Sequence, residues 1–147
     1  MIAKIKTRVD FGGIVNYAND QKNKKKCATL LAHEGVCAIS NKLIADSFCL
    51  QASIRLKVKS PVKHVSLAFS SQDINHFPDN EEGNALMVEI AKKWMEQMRI
   101  RNTQYIIARH HDTKHPHCHL VFNRIDNEAI SFLTAMKEYA MQKSVVL

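Results

Sequence analysis

Residues 103–125, TQYIIARHHDTKHPHCHLVFNRI, constrain the fold more than any other stretch. Two runs rich in β-branched and aromatic residues, TQYIIARHH and HCHLVFNRI, flank the turn DTKHP. Parallel neighbours need a crossover of about a dozen residues or more, so a connection this short makes the two runs antiparallel partners. The same stretch holds His110, His111, His115, His117 and His119, five of the chain's 8 histidines.

Around this pair the periodicity of the chain alternates between strand and helix. IAKIKT (residues 2–7) alternates apolar and basic residues and predicts a half-buried strand, and FGGIVNYAND predicts a short helix entered through Gly12 and Gly13. DQKNKKK reads as a loop, CATLLAHEGV as a short strand ending at Gly35, and Ser40 as the cap of a helix through NKLIADSFCLQASIRL. SPVKHVSLAFSS then alternates cleanly. Val65, Leu67 and Phe69 share one face, while His64, Ser66, Ala68 and Ser70 share the other, which suits the floor of an open groove. SQDINHFPDN reads as a polar loop. Asp79 with Glu82 resembles a capping box, opening a helix whose Met87, Ile90, Ala91, Trp94 and Met98 fall at helical spacing and are most simply core. Strands and helices in this order predict an α+β domain with a central, mainly antiparallel sheet flanked by helices.

At 147 residues the chain suits one domain. Its charge of +7 and sequence pI near 9.3 favour an anionic partner, nucleic acid before an anionic membrane surface. The basic residues gather early, at Lys4, Lys6 and Arg8, in the run Lys22, Lys24, Lys25 and Lys26, and then at Arg55, Lys57, Lys59 and Lys63; a solvated face would account for them equally well. The four cysteines form no C-x-x-C pair, which argues against a disulfide framework. No apolar run reaches the roughly 18 to 20 residues that span a bilayer, and no signal-peptide core opens the chain. A soluble, cytoplasmic protein without a membrane partner is the expectation.

On a strand, residues two apart point the same way, about 7 Å apart, so His117 and His119 share a face while Cys118 points away. Two such imidazoles can grip a metal ion with a third ligand from the preceding strand. Alternation places His110 with Ala108 and Ile106, and His111 with Arg109 and Tyr105, and does not choose between them. Three neutral histidines would leave a divalent ion its full charge and open positions, the arrangement of a catalytic site. Imidazole tolerates Mn, Zn, Co and Ni. Asp112 is close enough to accept the remaining N–H of a ligating histidine and fix its tautomer. His111 and His115 are left as surface or substrate-contacting residues.

HHDTKHPHCHLVFNRID resembles the histidine motif of the HUH endonucleases, in particular of MobP-type mobilisation relaxases, which nick one DNA strand at a transfer origin. The family pattern runs H-x-D-T, a few residues, H-x-H and a later Asn. Matched position by position, it takes His110, Asp112, His117, His119 and Asn123, and so prefers His110 as the third ligand. MIAKI…FGGIVNYANDQK and VKHVSLAFS are also similar to that group, extending the likeness over most of residues 1–126.

The resemblance implies a relaxase or palm-like fold, a metal ion that includes Mg as a candidate beside Mn, and a nucleophilic tyrosine early in the chain, here Tyr17. It implies a covalent 5′-phosphotyrosine, single-stranded DNA at oriT as substrate, and accessory mobilisation and coupling proteins as partners in plasmid conjugation and horizontal gene transfer. Asp112 and Asn123 would support the ligands, and Lys22, Lys24, Lys25, Lys26, His64, Ser66 and Arg124 are candidate DNA contacts. After FNRID the chain departs from the family's polar continuation. Residues 1–126 are therefore read as the relaxase-like catalytic part, and 127–147 as a tail of the same domain with a short helix over 132–139. Other readings keep the histidines: a truncated, non-catalytic remnant binding metal and single-stranded DNA, an HUH replication initiator, or a hydrolase of small phosphates.

Overall fold

A computed structural model describes residues 1–8 and 10–131. In chain order its elements are β1 (Ile2–Arg8), α1 (Phe11–Ala18), β2 (Thr29–Glu34), α2 (Asn41–Ala52), a 3-10 turn (Ser53–Arg55), β3 (Val62–Ala68), a second 3-10 turn (Ser71–His76), α3 (Glu81–Gln97), β4 (Tyr105–His110) and β5 (His117–Asn123). The strands form one sheet in the order β1-β3-β5-β4-β2, with every neighbouring pair antiparallel. The fold is α+β, as the alternation predicts, and the histidine-bearing β5 lies at its centre. The expected helix over 132–139 falls outside the described residues.

One face of the sheet is packed throughout. Val65, Leu67 and Phe69 of the alternating β3 segment join Leu120 and Phe122 beneath Met87, Ala91, Trp94 and Met95 of α3 and its C-cap Met98. The buried stripe confirms the helical spacing, except that Ile90 is only partly buried at its margin. The start of α3 differs from the capping-box expectation. Asn80, not Asp79, is the N-cap, its side chain accepting from Gly83 N at 3.0 Å. With the helix opening at Glu81, the third helical position belongs to Gly83, so Glu82 cannot close the box. A Cβ there would stand 1.9 Å from the Pro78 carbonyl oxygen, so the turn needs glycine. The preceding polar stretch also differs from a plain loop, because Ser70 Oγ accepts from Gln72 N and starts the 3-10 turn.

The other face is packed at one end only. Asp10 caps α1 by accepting from Gly12 N and Gly13 N, each at 3.0 Å. The helix then buries Phe11, Ile14, Val15 and Ala18 with Ile44 and Phe48 of α2 against Val62, Ile106 and Val121. Each large apolar side chain so buried contributes about 1.5–3 kcal/mol. Beyond Ile106 and Val121 the residues on this face are Ala108 and His110 of β4, His119 and His117 of β5, and Ser66 and Ala68 of β3, in register with one another. Among the described residues no helix is long and apolar enough to cross a membrane.

Candidate active site

Strand alternation and register bring three imidazoles together. His110 lies directly across from His117, and His119 is one step further along the same face of β5. One ring nitrogen from each of His110, His117 and His119 falls within a group whose members all lie within 4.8 Å of one another, a separation that one ion can bridge. All three are buried, at 3%, 8% and 5% exposure. Cys118 points to the α3 side, where burial pushes its thiol up to about 12, so it offers the cluster no thiolate.

The outward nitrogens are already engaged. His110 Nε2 lies 2.7 Å from the Ala18 carbonyl oxygen, and His117 Nδ1 lies 2.9 Å from that of His115, so each donates there and keeps its other nitrogen for the cluster. His119 Nδ1 lies 2.7 Å from His64 Nε2, which leaves His119 Nε2 inward. Carbonyl oxygens only accept, so the Ala18 contact fixes the His110 tautomer and the His115 contact places a proton on His117 Nδ1. Burial, reinforced by the neighbouring His110, His64 and His117 rings, pushes His119 down to about 2. Burial also lowers His110, against the opposing hydrogen bond to Ala18. Both rings are therefore neutral at physiological pH, the state in which imidazole ligates metal. The donor set fits a divalent cation.

Asp112 occupies a different place from the one expected. Its Oδ1 is 3.2 Å from His117 Nε2, the cluster-facing nitrogen. It thus stands beside the nitrogen that a candidate ligand turns to the cluster, where it adds negative charge to the site, and not at the far nitrogen as an orienting acceptor. The orienting group missed in the sequence is His64, read there as a DNA contact on the groove floor. It stacks on His119 with ring centroids 5.0 Å apart and holds that ring through its Nε2. Asn123 shares the face of His117 and His119 but not their neighbourhood. Its amide donates to the Phe48 carbonyl and to Gln104 Oε1, and its Oδ1 accepts from Ile125 N, so it ties β5 to α2. Arg124 follows it, at the opposite end of the strand from His117, with its backbone N–H on the Pro61 carbonyl.

Tyr17 meets the cluster from the last turn of α1. Its ring centroid lies 5.6 Å from that of His119, 5.7 Å from His64 and 5.8 Å from His110, each edge to face, and the residue is 46% exposed. Its neighbour Lys26 carries an ammonium 3.7 Å from the Tyr17 ring centroid, a cation–π contact. The loop is held in that position: Asn23 Oδ1 accepts from Lys25 N and Lys26 N, and His111 N donates to the Lys26 carbonyl at 2.8 Å. Lys26 is thus the member of the basic run that reaches the site, while Lys24 and Lys25 are exposed and Lys22 borders a separate polar hollow beside Ser40. Ser66 is paired across from His119. His111 lies outside the cluster, 3.3 Å from Thr29 Oγ1.

The site therefore combines three convergent imidazoles, a carboxylate, an exposed phenol and an ammonium held beside it. These suit binding a metal and an anionic ester together, with an oxygen nucleophile at hand. Over residues 17–145 the chain matches the family model described as relaxase, MobA/VirD2-like, nuclease domain, a span that includes Tyr17 and all three histidines. Among proteins of curated function, none matches the chain.

Proposed function

The chain belongs to the relaxase family, as a MobA/VirD2-like nuclease domain, and from that premise we propose that it nicks one DNA strand at a transfer origin by transesterification. Tyr17 is the nucleophile, and His110, His117 and His119 hold a divalent ion, Mg or Mn before Zn, Co or Ni. The observation that carries this reading is the edge-to-face approach of Tyr17 to two of the three convergent histidines, made from a different element of the fold.

When bound, the ion supplies a Lewis acid that neutralises charge on the phosphate oxygens. The protein does the positioning. Tyr17 Oη attacks phosphorus, an O–P bond forms, the P–O3′ bond breaks, and the product is a 5′-phosphotyrosine with a free 3′-OH. The phenol's proton leaves to water and the departing 3′-oxygen takes one up, so the proton count is unchanged. One phosphodiester replaces another, which makes the step reversible and lets the stored bond rejoin a strand after transfer. Lys26, fixed over the Tyr17 ring, brings positive charge to the place where the phosphodiester approaches, and the exposed Lys24 and Lys25 extend that field along the strand. Mobilisation of a plasmid or conjugative element, in the cytoplasm and with accessory and coupling proteins, is the process this chemistry serves.

The test is covalent capture. A single strand spanning the transfer origin of the encoding element, labelled on the 3′ side of the nick, is incubated with the protein and Mn²⁺ and then denatured. Wild type carries the label through denaturation, whereas Tyr17→Phe binds the strand and forms no adduct. Adduct formation by Tyr17→Phe removes Tyr17 from the reaction, and strand binding without any wild-type adduct reduces the chain to a binding module.

A further inference from the structure

Helix α2 is apolar on two sides. Ile44, Ala45 and Phe48 bury one side against α1 and the sheet. Leu43, Leu50 and Ile54, the last in the 3-10 turn that prolongs the helix, follow one another at helical spacing along the outer side. They are 38%, 76% and 63% exposed, and Leu56 just beyond them is 84% exposed. Single exposed apolar residues are ordinary, but a row of them along one helix marks a face that takes a partner. The chain itself leads to this face. After β5 it turns back onto α2, where the Ile125 carbonyl accepts from Gln51 Nε2 at 2.8 Å and the Ala129 carbonyl accepts from Arg55 Nε at 2.7 Å. Ser131, bridged to Ile125, thus brings the chain out beside the end of α2 that carries Leu50 and Ile54.

We propose that residues 132–147 of the same chain dock on this outer face of α2 as an antiparallel helix. Their sequence, FLTAMKEYAMQKSVVL, places Phe132, Leu133, Met136, Tyr139 and Ala140 on one side of a helix, with Lys137 and Glu138 off that side. Such a stripe needs an apolar partner, and Leu43, Leu50 and Ile54 supply one within direct reach of Ser131. A connection this short makes successive helices antiparallel neighbours, so the segment runs back from Ile54 toward Leu43. The lengths agree. Leu43 to Ile54 spans roughly 17 Å along the helix, and residues 132–147 in helical form extend about 24 Å, enough to cover the row. Lys143 then reaches the Leu43 end of the face, where Asp46 offers a carboxylate at an exposed position. The inner side of α2 already backs α1, so the docked segment adds an outer layer behind the helix that carries Tyr17.

Hydrogen exchange of the full chain, read by mass spectrometry on peptides from residues 132–147, tests the docking. In wild type these amides exchange about tenfold or more slowly than an unfolded chain of that sequence, at every protein concentration. Leu50→Glu puts a charge into the face at an exposed position, and returns them to within about twofold of the unfolded rate while peptides of β4 and β5 keep theirs. Met136→Glu does the same from the other partner, and the double variant adds nothing to either change alone. Ile54→Glu decides the matter if Leu50→Glu disturbs α2 itself. Wild-type residues 132–147 that exchange at the unfolded rate, or protection unchanged by both Leu50→Glu and Ile54→Glu, overturn the proposal. Protection that appears only as concentration rises, together with a dimer in sedimentation, also overturns it and gives the face to a second copy of the chain.

Discussion

Acid weakens this fold through His119 by an amount that can be worked out. The imidazole has an ordinary value of 6.5, and in the folded chain it is pushed down to about 2 by burial and by three neighbouring histidines. The unfolded chain therefore binds a proton that the folded chain refuses. Stability is complete above 6.5, declines as pH falls below it, and stops declining only near the folded value. A pH of about 5 lies about one and a half units below the ordinary value that the unfolded ring keeps, and at about 1.36 kcal/mol per unit the loss is ~2 kcal/mol. His110, also lowered by burial, adds in the same direction. Urea unfolding with chelator present, at pH about 7.5 and about 5, measures this for wild type and for His119→Gln, which removes the titrating ring and keeps a polar side chain. The stability difference between the two proteins shrinks by ~2 kcal/mol on acidification, an excess midpoint shift near 1 M for a typical urea dependence. If both proteins lose the same stability, His119 is not the buried neutral base inferred from its surroundings.

Other perturbations probe the site and its frame. His64→Ala removes the ring that holds His119 and is expected to weaken Mn²⁺ binding by about 10–100-fold, read by titration calorimetry, with the same far-ultraviolet circular dichroism. Gly83→Ala drives a methyl into the Pro78 carbonyl, and the resulting overpacking at the start of α3 lowers stability by about 1–3 kcal/mol in urea unfolding. Lys26→Gln takes one cation from beside Tyr17 and reduces the slope of log affinity for single-stranded DNA against log salt by about 0.7, whatever the sequence of the strand.

How far these features were legible in the chain depends on whether they follow from local periodicity or from the order of strands. The β4–β5 hairpin is written in its short turn, and the two faces of β3 are written in its alternation, because a period of two needs no knowledge of neighbours. His110 could not be separated from His111 by alternation alone, since both positions border the turn and its geometry decides which ring enters the face. The role of His64 was out of reach for another reason. It depends on β3 lying beside β5, a pairing across 55 residues of sequence, and on a diagonal contact to His119 instead of its register partner Val121. Asn123 shows the converse limit. It has the right parity to join His117 and His119, but parity does not reveal where α2 covers the face, and Phe48 takes its amide. Asp112 lies just beyond β4, so strand alternation no longer governs its direction, and it turns to His117.

The last turn of α1 links the site to the fold most directly. Ala18 is fully buried against α2 and the sheet, and its carbonyl accepts from His110 Nε2 at 2.7 Å. Tyr17, the adjacent residue, projects from the same turn onto His110, His119 and His64. The orientation of one histidine of the proposed metal site and the approach of the proposed nucleophile are thus set by neighbouring peptide units of a single helix, which Asp10 caps and four buried side chains anchor. A site assembled this way loses its relative geometry only if α1 itself moves. Large-to-small changes in the anchors, Phe11→Ala or Ile14→Ala, are therefore expected to slow adduct formation beyond what the remaining folded fraction explains. A surface change of α1 such as Asn16→Ala, at an exposed position outside the histidine cluster, leaves the rate per folded molecule unchanged. A rate per folded molecule that stays at the wild-type level in Phe11→Ala would show that the phenol is positioned by its ring contacts alone and not by the helix beneath it.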